Sequence, residues 1–305
     1  MQENPSDQDI RRSFERQVPL FSGPDSPFAS RQPQALSWIG PLEPESIVLD
    51  VACGAAHAAE PVAGAVRQVV GIDLTPALLK VGALRLADQG VTNILLQEGN
   101  AESLPFVDES FDVVYCRSSL HHFVDPRRCV DEMVRVCRSG GRIVLLDLVP
   151  PSEHVRDRFD YVHRLIDPSH VRSILEEELG DLLPDGVEGI TVIDRLSIRL
   201  PLDVALTEQS NKAEILSILE AEVLSAGEPT GFEPAFEGDD LVVSFVTSIV
   251  HADRTRTSLP SGAPLALGGG TCPRVRSPLV SVPVPPGDSP RIWVPSWWRR
   301  SSPQS

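Results

Sequence analysis

The stretch IVLDVACGAAH, residues 47–57, decides how the rest of the chain is interpreted. Residues 47–51 form a short apolar run typical of a buried strand, and the small residues after them suit a tight turn. An alanine-rich segment near 57–66 then favours a helix. The order strand, tight turn, helix predicts the first unit of a doubly wound α/β sheet.

The same alternation continues along the chain to about residue 250. The predicted later strands lie at 69–74, 93–97, 111–116, 142–148, 190–198 and 241–250. One helix is predicted from Thr75 and Pro76 to a stop at Gly90, and another from Asp125 to the glycine pair at 140–141. Two amphipathic helices are predicted at 171–183 and about 208–225.

These signals predict an α/β protein with a doubly wound, Rossmann-like, mostly parallel sheet of seven strands. The predicted organisation is an N-terminal helical lid at 1–45, a cofactor-binding Rossmann-like core at 46–150, a substrate-side helical cap with the last two strands at 151–250, and a tail at 251–305. The tail is rich in Pro, Arg and Trp and lacks an apolar period, so we expect it to be disordered.

Composition excludes several classes of function. The 305 residues contain no apolar run long enough to cross a bilayer, and the acidic, polar start is unlike a secretory signal. The net charge of −16 argues against nucleic acid as a partner. Five cysteines without zinc-ligand spacing predict reduced thiols and no metal site. We therefore expect a soluble, cytoplasmic protein without a membrane span.

Acids and amides stand where the first three strands end, at Asp50, Asp73 and Asn100. Ligands of open α/β sheets bind beyond these strand ends. A dinucleotide site needs three spaced glycines, but alignment on Gly54 puts Ala52 and His57 at the other two positions. A carboxylate at Asp50 is unfavourable beside a pyrophosphate and suits an ammonium or sulfonium group. The charge pattern favours a cationic cofactor.

Four ordered motifs resemble the class I S-adenosylmethionine-dependent methyltransferases, in particular the ubiquinone/menaquinone-biosynthesis type with a methyltransferase type 11 domain. They are VLDVACG at 48–54, GIDL at 71–74, NAESLPF with SFDVV at 100–114, and LHHF at 120–123. The resemblance spans roughly residues 10–250. It implies the class I methyltransferase fold, S-adenosyl-L-methionine as cofactor and a small-molecule methyl acceptor.

The resemblance also implies roles for individual residues. Asp50 and the backbone at Ala52 and Gly54 would hold the methionine part of the cofactor. Asp73 would accept hydrogen bonds from the ribose hydroxyls. The remaining cofactor-binding residues implied are Leu74, Asn100 and Ala101 around the adenine, and Arg117 at the start of a loop that faces the methyl group and acceptor.

Several polar residues in and after that loop allow two interpretations each. His121 is a candidate general base, or a ring packed at the pocket wall. Tyr161, His163, Arg164, Asp167 and His170 either line the substrate side of the cap or form a solvated helix start, the second being favoured for His170.

The sequence departs from the family at several positions. Ala56 replaces a glycine, Asn100 replaces a more usual aspartate, and Phe21 stands near a position where relatives have tyrosine. Two alternatives therefore stay open: a non-catalytic S-adenosylmethionine-binding homologue, and an NAD(P)-dependent oxidoreductase on a Rossmann fold.

Overall fold

The computed structural model describes residues 6–22, 36–208 and 210–255. Strands and helices alternate within these ranges. The strands are β1 (Ile47–Val51), β2 (Gln68–Asp73), β3 (Ile94–Glu98), β4 (Phe111–Arg117), β5 (Cys137–Leu148), β6 (Val187–Pro201), β7 (Ala235–Glu237) and β8 (Asp240–Arg254). The helices are α1 (Asp7–Ser22), α2 (Ala59–Ala63), α3 (Pro76–Asp88), α4 (Pro126–Val136), α5 (Glu153–Ile166), α6 (Glu176–Asp181), α7 (Leu202–Ala205) and α8 (Lys212–Val223), with a 3₁₀ turn at Leu120–His122.

All these strands belong to one sheet, in the order β3-β2-β1-β4-β5-β8-β6, with β7 paired to β8. Strands β1 to β5 run parallel, whereas β8 is antiparallel to β5, β6 and β7. The strand order reverses between β1 and β4, which opens a crevice at their carboxyl ends. The predicted doubly wound, mostly parallel α/β sheet is confirmed. The described residues form eight strands rather than seven, because three-residue β7 folds back on the start of β8.

The core lies on both faces of the sheet because alternate side chains of a strand point to opposite faces. Leu49 and Val51 of β1 belong to one buried apolar cluster, together with Met133 of α4. Val48 belongs to the cluster on the other face, with Val62 of α2. A third cluster joins α5, α8 and β8 around Phe159, Ile215, Phe232 and Val243. This third cluster supports the cap region above the crevice.

Two helix predictions differ from the structure. The helix from Asp125 ends at Val136. Cys137 then begins β5, where it pairs with Phe111 of β4, so the glycine pair at 140–141 lies inside a strand. The helix predicted at 171–183 is reduced to α6. The backbone N–H groups of Val171 and Arg172 instead donate to the His121 carbonyl, which ties that segment to the 3₁₀ turn.

Strand β8 continues to Arg254, past the residue at which the tail was expected to begin, 251. Asp253 pairs in register with Arg142, and the Arg254 guanidinium donates to the carbonyls of Arg135, at 3.2 Å, and Cys137. The predicted disorder beyond residue 255 lies outside the described residues. Among the described helices, none combines the length and the apolar character that a membrane span requires.

Candidate active site

A cavity of about 300 Å³ opens at the carboxyl ends of the parallel strands. The residues that the sequence analysis assigned to the cofactor and to catalysis all line it, and they come from the carboxyl ends of four different strands and the loops that follow them. They are Asp50, Ala52, Gly54, Asp73, Leu74, Asn100, Ala101, Arg117 and His121. The strand-end rule therefore brings these residues to one cavity, as expected, and their roles in binding and catalysis stay predictions.

The loop after β1 is a tight turn held in an unusual backbone conformation. Ala52, Gly54 and Ala56 have φ values of 56°, 54° and 61°, in the left-handed region. That region is open to glycine but costs an alanine on the order of 1–2 kcal/mol. Gly82 of α3 allows the helix to approach this loop, because a Cβ there would lie 2.7 Å from the Ala55 carbonyl oxygen.

Asp73, at the end of β2, fixes the same loop. Its Oδ2 accepts from the Gly54 N–H at 2.8 Å, and its Oδ1 accepts from the Thr75 N–H at 2.8 Å. Burial raises the pKa of Asp73, although these two backbone donors oppose the rise. The Thr75 side chain also bonds to this carboxylate, and the carboxylate keeps lone-pair capacity that a hydroxyl group can use.

Asp50 places a carboxyl group at the floor of the cavity. Its side chain is 1% exposed, and Oδ2 has no hydrogen-bond partner among the described residues. Burial raises the pKa of Asp50 to about 8, while nearby Tyr115 and Arg117 oppose the rise. A buried carboxyl oxygen without a partner is a costly feature that a cationic ligand would relieve.

Arg117 ends β4 and lines the same cavity. It forms no salt bridge within residues 6–22, 36–208 and 210–255, although Asp50 is close enough to influence its titration. Burial lowers the pKa of the guanidinium, and nearby Tyr115 and Asp50 oppose this change. The cavity therefore contains a carboxyl group and a guanidinium near each other, which can bind a ligand that carries both charges.

The far side of the cavity is built around Asn100. Its Nδ2 donates to Asp7 of α1 at 2.9 Å, and its Oδ1 accepts from the Glu102 N–H at 2.8 Å. Ala101 is buried and Leu74 is half-buried beside them. An amide and a backbone turn next to an apolar side chain can hold a flat, nitrogen-rich ring.

Helix α1 lies across the cavity as a roof, consistent with the predicted lid. Gln17 Nε2 donates to Asp167 Oδ1 at 2.9 Å, and the Phe14 ring meets His122 edge-on at 4.9 Å between centroids. The carbonyl of Phe21 contacts His57 Nε2 at 2.9 Å. Phe21 thus lines the cavity with its ring and closes the end of α1 with its backbone.

The part of the cavity wall formed by β6, β8 and the 3₁₀ turn combines apolar and histidine side chains. Ile198, Leu200 and Phe245 come from β6 and β8. His121 is held by a hydrogen bond between its Nδ1 and Asp147. Burial alone would lower the pKa of His121, but the Asp147 carboxylate outweighs it and the pKa lies above its ordinary value. Burial and the nearby His121 lower the pKa of His122 to about 4.

The structure corrects the interpretation of His170 and settles the position of His163. Both are buried, at 2% and 4% exposure, so His170 does not belong to a solvated helix start. The sequence analysis missed α5, which places His163 four residues after Phe159 on its buried face. The apolar spacing of Phe159, Val162 and Ile166 was the signal that could have revealed this helix.

Comparison with known proteins points to one family. Residues 49–145 match the family described as "Methyltransferase domain". The uncharacterized methyltransferase YcgJ of Bacillus subtilis is 43% identical over 129 residues, which are 42% of this chain and 51% of YcgJ. A demethylmenaquinone methyltransferase of Clavibacter sepedonicus is 35% identical over 45% of this chain and 55% of its own length. The chain thus spans about half the length of these two curated relatives.

Solved structures of similar proteins include the same YcgJ and a second protein described as a methyltransferase. The crystal structure of YcgJ covers 74% of this chain and is covered completely, with 26% identity and a TM-score of 0.66. A putative methyltransferase from Bacillus halodurans covers 74% of this chain, with 99% of its own length matched, 28% identity and a TM-score of 0.62.

Proposed function

We propose that the chain transfers a methyl group from S-adenosyl-L-methionine to a small-molecule acceptor, a proposal supported by the match of residues 49–145 to the family described as "Methyltransferase domain". The observation that carries the proposal is the buried, unpartnered Asp50 carboxyl oxygen beside Arg117. When bound, the cofactor supplies an electrophilic methyl group on a sulfonium centre.

The methionine part of the cofactor carries an amino group and a carboxylate, and the cavity offers one complementary group for each. Asp50 receives the ammonium group, which gives its orphaned oxygen a partner. Arg117 receives the carboxylate, since a guanidinium binds carboxylates through two parallel hydrogen bonds. The backbone at Ala52 and Gly54 passes between them and sets the position of the chain that joins the two groups.

The nucleoside part is assigned to the loops after β2 and β3. Asp73 accepts hydrogen bonds from the ribose hydroxyls with lone pairs that the backbone donors leave open. Asn100 and the backbone of Ala101 bind the edge of the adenine, and Leu74 packs on its face. Helix α1 covers this part of the cavity through its contact between Asp7 and Asn100.

The acceptor is a small molecule that is largely apolar and carries one polar nucleophile. This assignment rests on the cap wall, where Ile198, Leu200 and Phe245 face the cavity together with the histidines. One relative is named a demethylmenaquinone methyltransferase. The roof and wall exclude water and align the acceptor with the sulfonium, and alignment alone contributes a large part of catalysis in such transfers.

His121 lies on this acceptor wall. Asp147 bonds to Nδ1 of His121 and orients its ring, and it raises the pKa of His121 above its ordinary value. His121 therefore stays a candidate general base as well as a part of the wall.

The alternative of an NAD(P)-dependent oxidoreductase is disfavoured by charge. The buried Asp50 carboxyl would lie beside the pyrophosphate of such a cofactor. We also propose that the reaction takes place in the cytoplasm, because Cys53, Cys116, Cys129 and Cys137 are all free and buried, as expected in a reducing compartment.

The test is a product assay with S-adenosyl-L-methionine that carries an isotopic label on its methyl group. The purified chain is incubated with pools of apolar small molecules, and both S-adenosylhomocysteine and labelled product are measured. The proposal predicts that both form together, and that an Asp50→Asn variant with the wild-type circular dichroism spectrum forms much less. Cofactor binding without product from any pool would favour the non-catalytic homologue.

A further inference from the structure

Three buried histidines meet behind the acceptor wall, and they come from three different parts of the chain. His121 lies in the 3₁₀ turn after β4, His163 lies on α5, and His170 lies in the loop after α5. One ring nitrogen from each lies within 4.8 Å of the others. The three side chains are between 2% and 4% exposed.

Two of these rings are each held by a carboxylate at one ring nitrogen, which leaves the other nitrogen for a ligand. Asp147 Oδ1 bonds to Nδ1 of His121, and Asp160 Oδ1 bonds to Nε2 of His170 at 2.8 Å. Asp147 also accepts from the Leu120 N–H and Asp160 from the Ser173 N–H, so both carboxylates are fixed. A carboxylate on the far nitrogen is the usual support of a metal-bound imidazole, because it sets the ring orientation and makes the remaining nitrogen a better ligand.

Two of the ring nitrogens in the cluster have no hydrogen bond that holds the fold in the part of the chain that the structure describes. Nδ1 of His163 and Nδ1 of His170 are buried, and each lacks a hydrogen-bond partner among the described residues. The His163 ring is instead held by edge-on packing against Phe159 and Phe232. The His163 and His170 rings stack with their centroids 4.0 Å apart. Buried nitrogens of this kind are normally paired, so two unpaired nitrogens on adjacent rings indicate a ligand that would pair them.

From this arrangement we propose that His121, His163 and His170 bind a divalent transition-metal ion, of which Zn²⁺ is the best match. Three neutral imidazoles suit Zn²⁺ and its neighbours in the first transition row. Asp147 and Asp160 balance the charge of the ion from behind its ligands. The sequence analysis predicted no metal site, because it examined cysteine spacing and these three histidines are distant from one another in sequence.

The site has an open side that faces the cavity. His121 and His163 line the cavity, whereas His170 lies behind them. Three protein ligands leave one position of a tetrahedral ion free, which is the arrangement of catalytic rather than structural zinc. The open position would receive an oxygen or nitrogen atom of a molecule on the acceptor side. The metal site itself rests on the histidine geometry and does not depend on methyl transfer.

The experiment is a metal titration of the full chain after treatment with a chelator and without S-adenosylmethionine. Co²⁺ serves as the spectroscopic probe, and Zn²⁺ is then added in competition. The proposal predicts one Co²⁺ per chain with visible bands of a four-coordinate nitrogen site, displacement by Zn²⁺, and a higher melting temperature with Zn²⁺. His154→Ala is the matched control, since this exposed histidine lies on the same helix as His163.

Three variants locate the site. His163→Ala and His163→Gln should each lower the affinity for metal at least about a hundredfold, and Asp160→Asn should lower it about 10- to 100-fold. His154→Ala should leave it unchanged. Circular dichroism of the metal-free variants establishes that they are folded. The absence of Co²⁺ bands in the wild type, or equal metal affinity in wild type and a folded His163→Gln variant, would overturn the proposal and leave the cofactor assignment untouched.

Discussion

The carboxylate of Asp73 holds the loop after β1 by accepting a 2.8 Å hydrogen bond from the Gly54 N–H. A side chain at the end of β2 thereby fixes the backbone of the loop that follows β1, the neighbouring strand. Since the same carboxylate is assigned to the ribose hydroxyls, loop geometry and cofactor affinity should depend on one side chain.

Replacing Asp73 with alanine should weaken the binding of S-adenosyl-L-methionine by about 1.5–3 kcal/mol, the value typical of lost hydrogen bonds to a charged group. Calorimetry of the purified variants measures this change. Asp88→Ala is the control, because Asp88 is exposed at the end of α3 and does not line the cavity. Unchanged affinity in a folded Asp73→Ala variant would contradict the ribose assignment.

Cofactor binding should release a proton from Asp50. Burial raises its pKa to about 8, so the carboxyl is protonated below that pH in the free protein, while a bound ammonium group favours the ionised form. Affinity should therefore rise as the pH increases toward 8. Calorimetry near neutral pH in two buffers of different ionisation enthalpy measures the proton, and Asp50→Asn should abolish its release. Identical proton release in the variant would exclude Asp50 as the source.

The raised pKa of Asp50 should make the protein without cofactor less stable as the pH rises, whereas the affinity for cofactor should increase. The folded state binds a proton at Asp50 more tightly than the unfolded state, so this group favours unfolding increasingly as pH rises from about 4 to about 8. In Asp50→Asn, the free energy of unfolding should fall less, or rise more, between about pH 4 and about pH 8 than in the wild type. Denaturant unfolding at several pH values tests this, and a larger fall in the variant than in the wild type would count against it.

The roof should control the release of the cofactor. Gln17→Ala removes the hydrogen bond to Asp167 and should lower affinity by about 1 kcal/mol, with faster dissociation because α1 opens more easily. Stopped-flow displacement measures the rate. Glu15→Ala, exposed on the same helix, should dissociate at the wild-type rate. Equal rates for all three proteins would mean that α1 is not a lid.

The left-handed backbone at Ala52 should be a source of strain that glycine relieves. Ala52→Gly should raise the free energy of unfolding by about 1 kcal/mol, since glycine adopts a φ of 56° without a Cβ clash. Ala87→Gly in α3 should instead lower it by about 1 kcal/mol, as expected for an exposed helical position. Denaturant unfolding measures both, and destabilisation by Ala52→Gly would show that the turn is not strained.

The sequence predicted which strand-end residues meet at the cavity because the signals there are local. Asp50 and Asp73 each lie at the end of a strong apolar strand, and a parallel sheet brings strand ends together at one edge. The seven main strands were also recognisable from apolar runs. Short β7 was not, since three residues carry too little pattern.

The sequence did not predict the histidine-lined part of the cavity, because that part is formed by contacts between residues distant in sequence. Helix α5 was missed despite its apolar face, and the segment at 171–175 leaves the helical pattern because it donates to the backbone of His121. The meeting of His163 with His121 results from that packing. No spacing within the chain announces it, since the two residues reach the cluster from separate elements.

The most direct test of the central claim is a calorimetric titration of the full chain with S-adenosyl-L-methionine, S-adenosylhomocysteine and NADH in parallel. The account predicts micromolar binding of the first two at one molecule per chain and no heat from NADH. Binding of NADH alone, or silence from both S-adenosyl compounds in a folded protein, would contradict it.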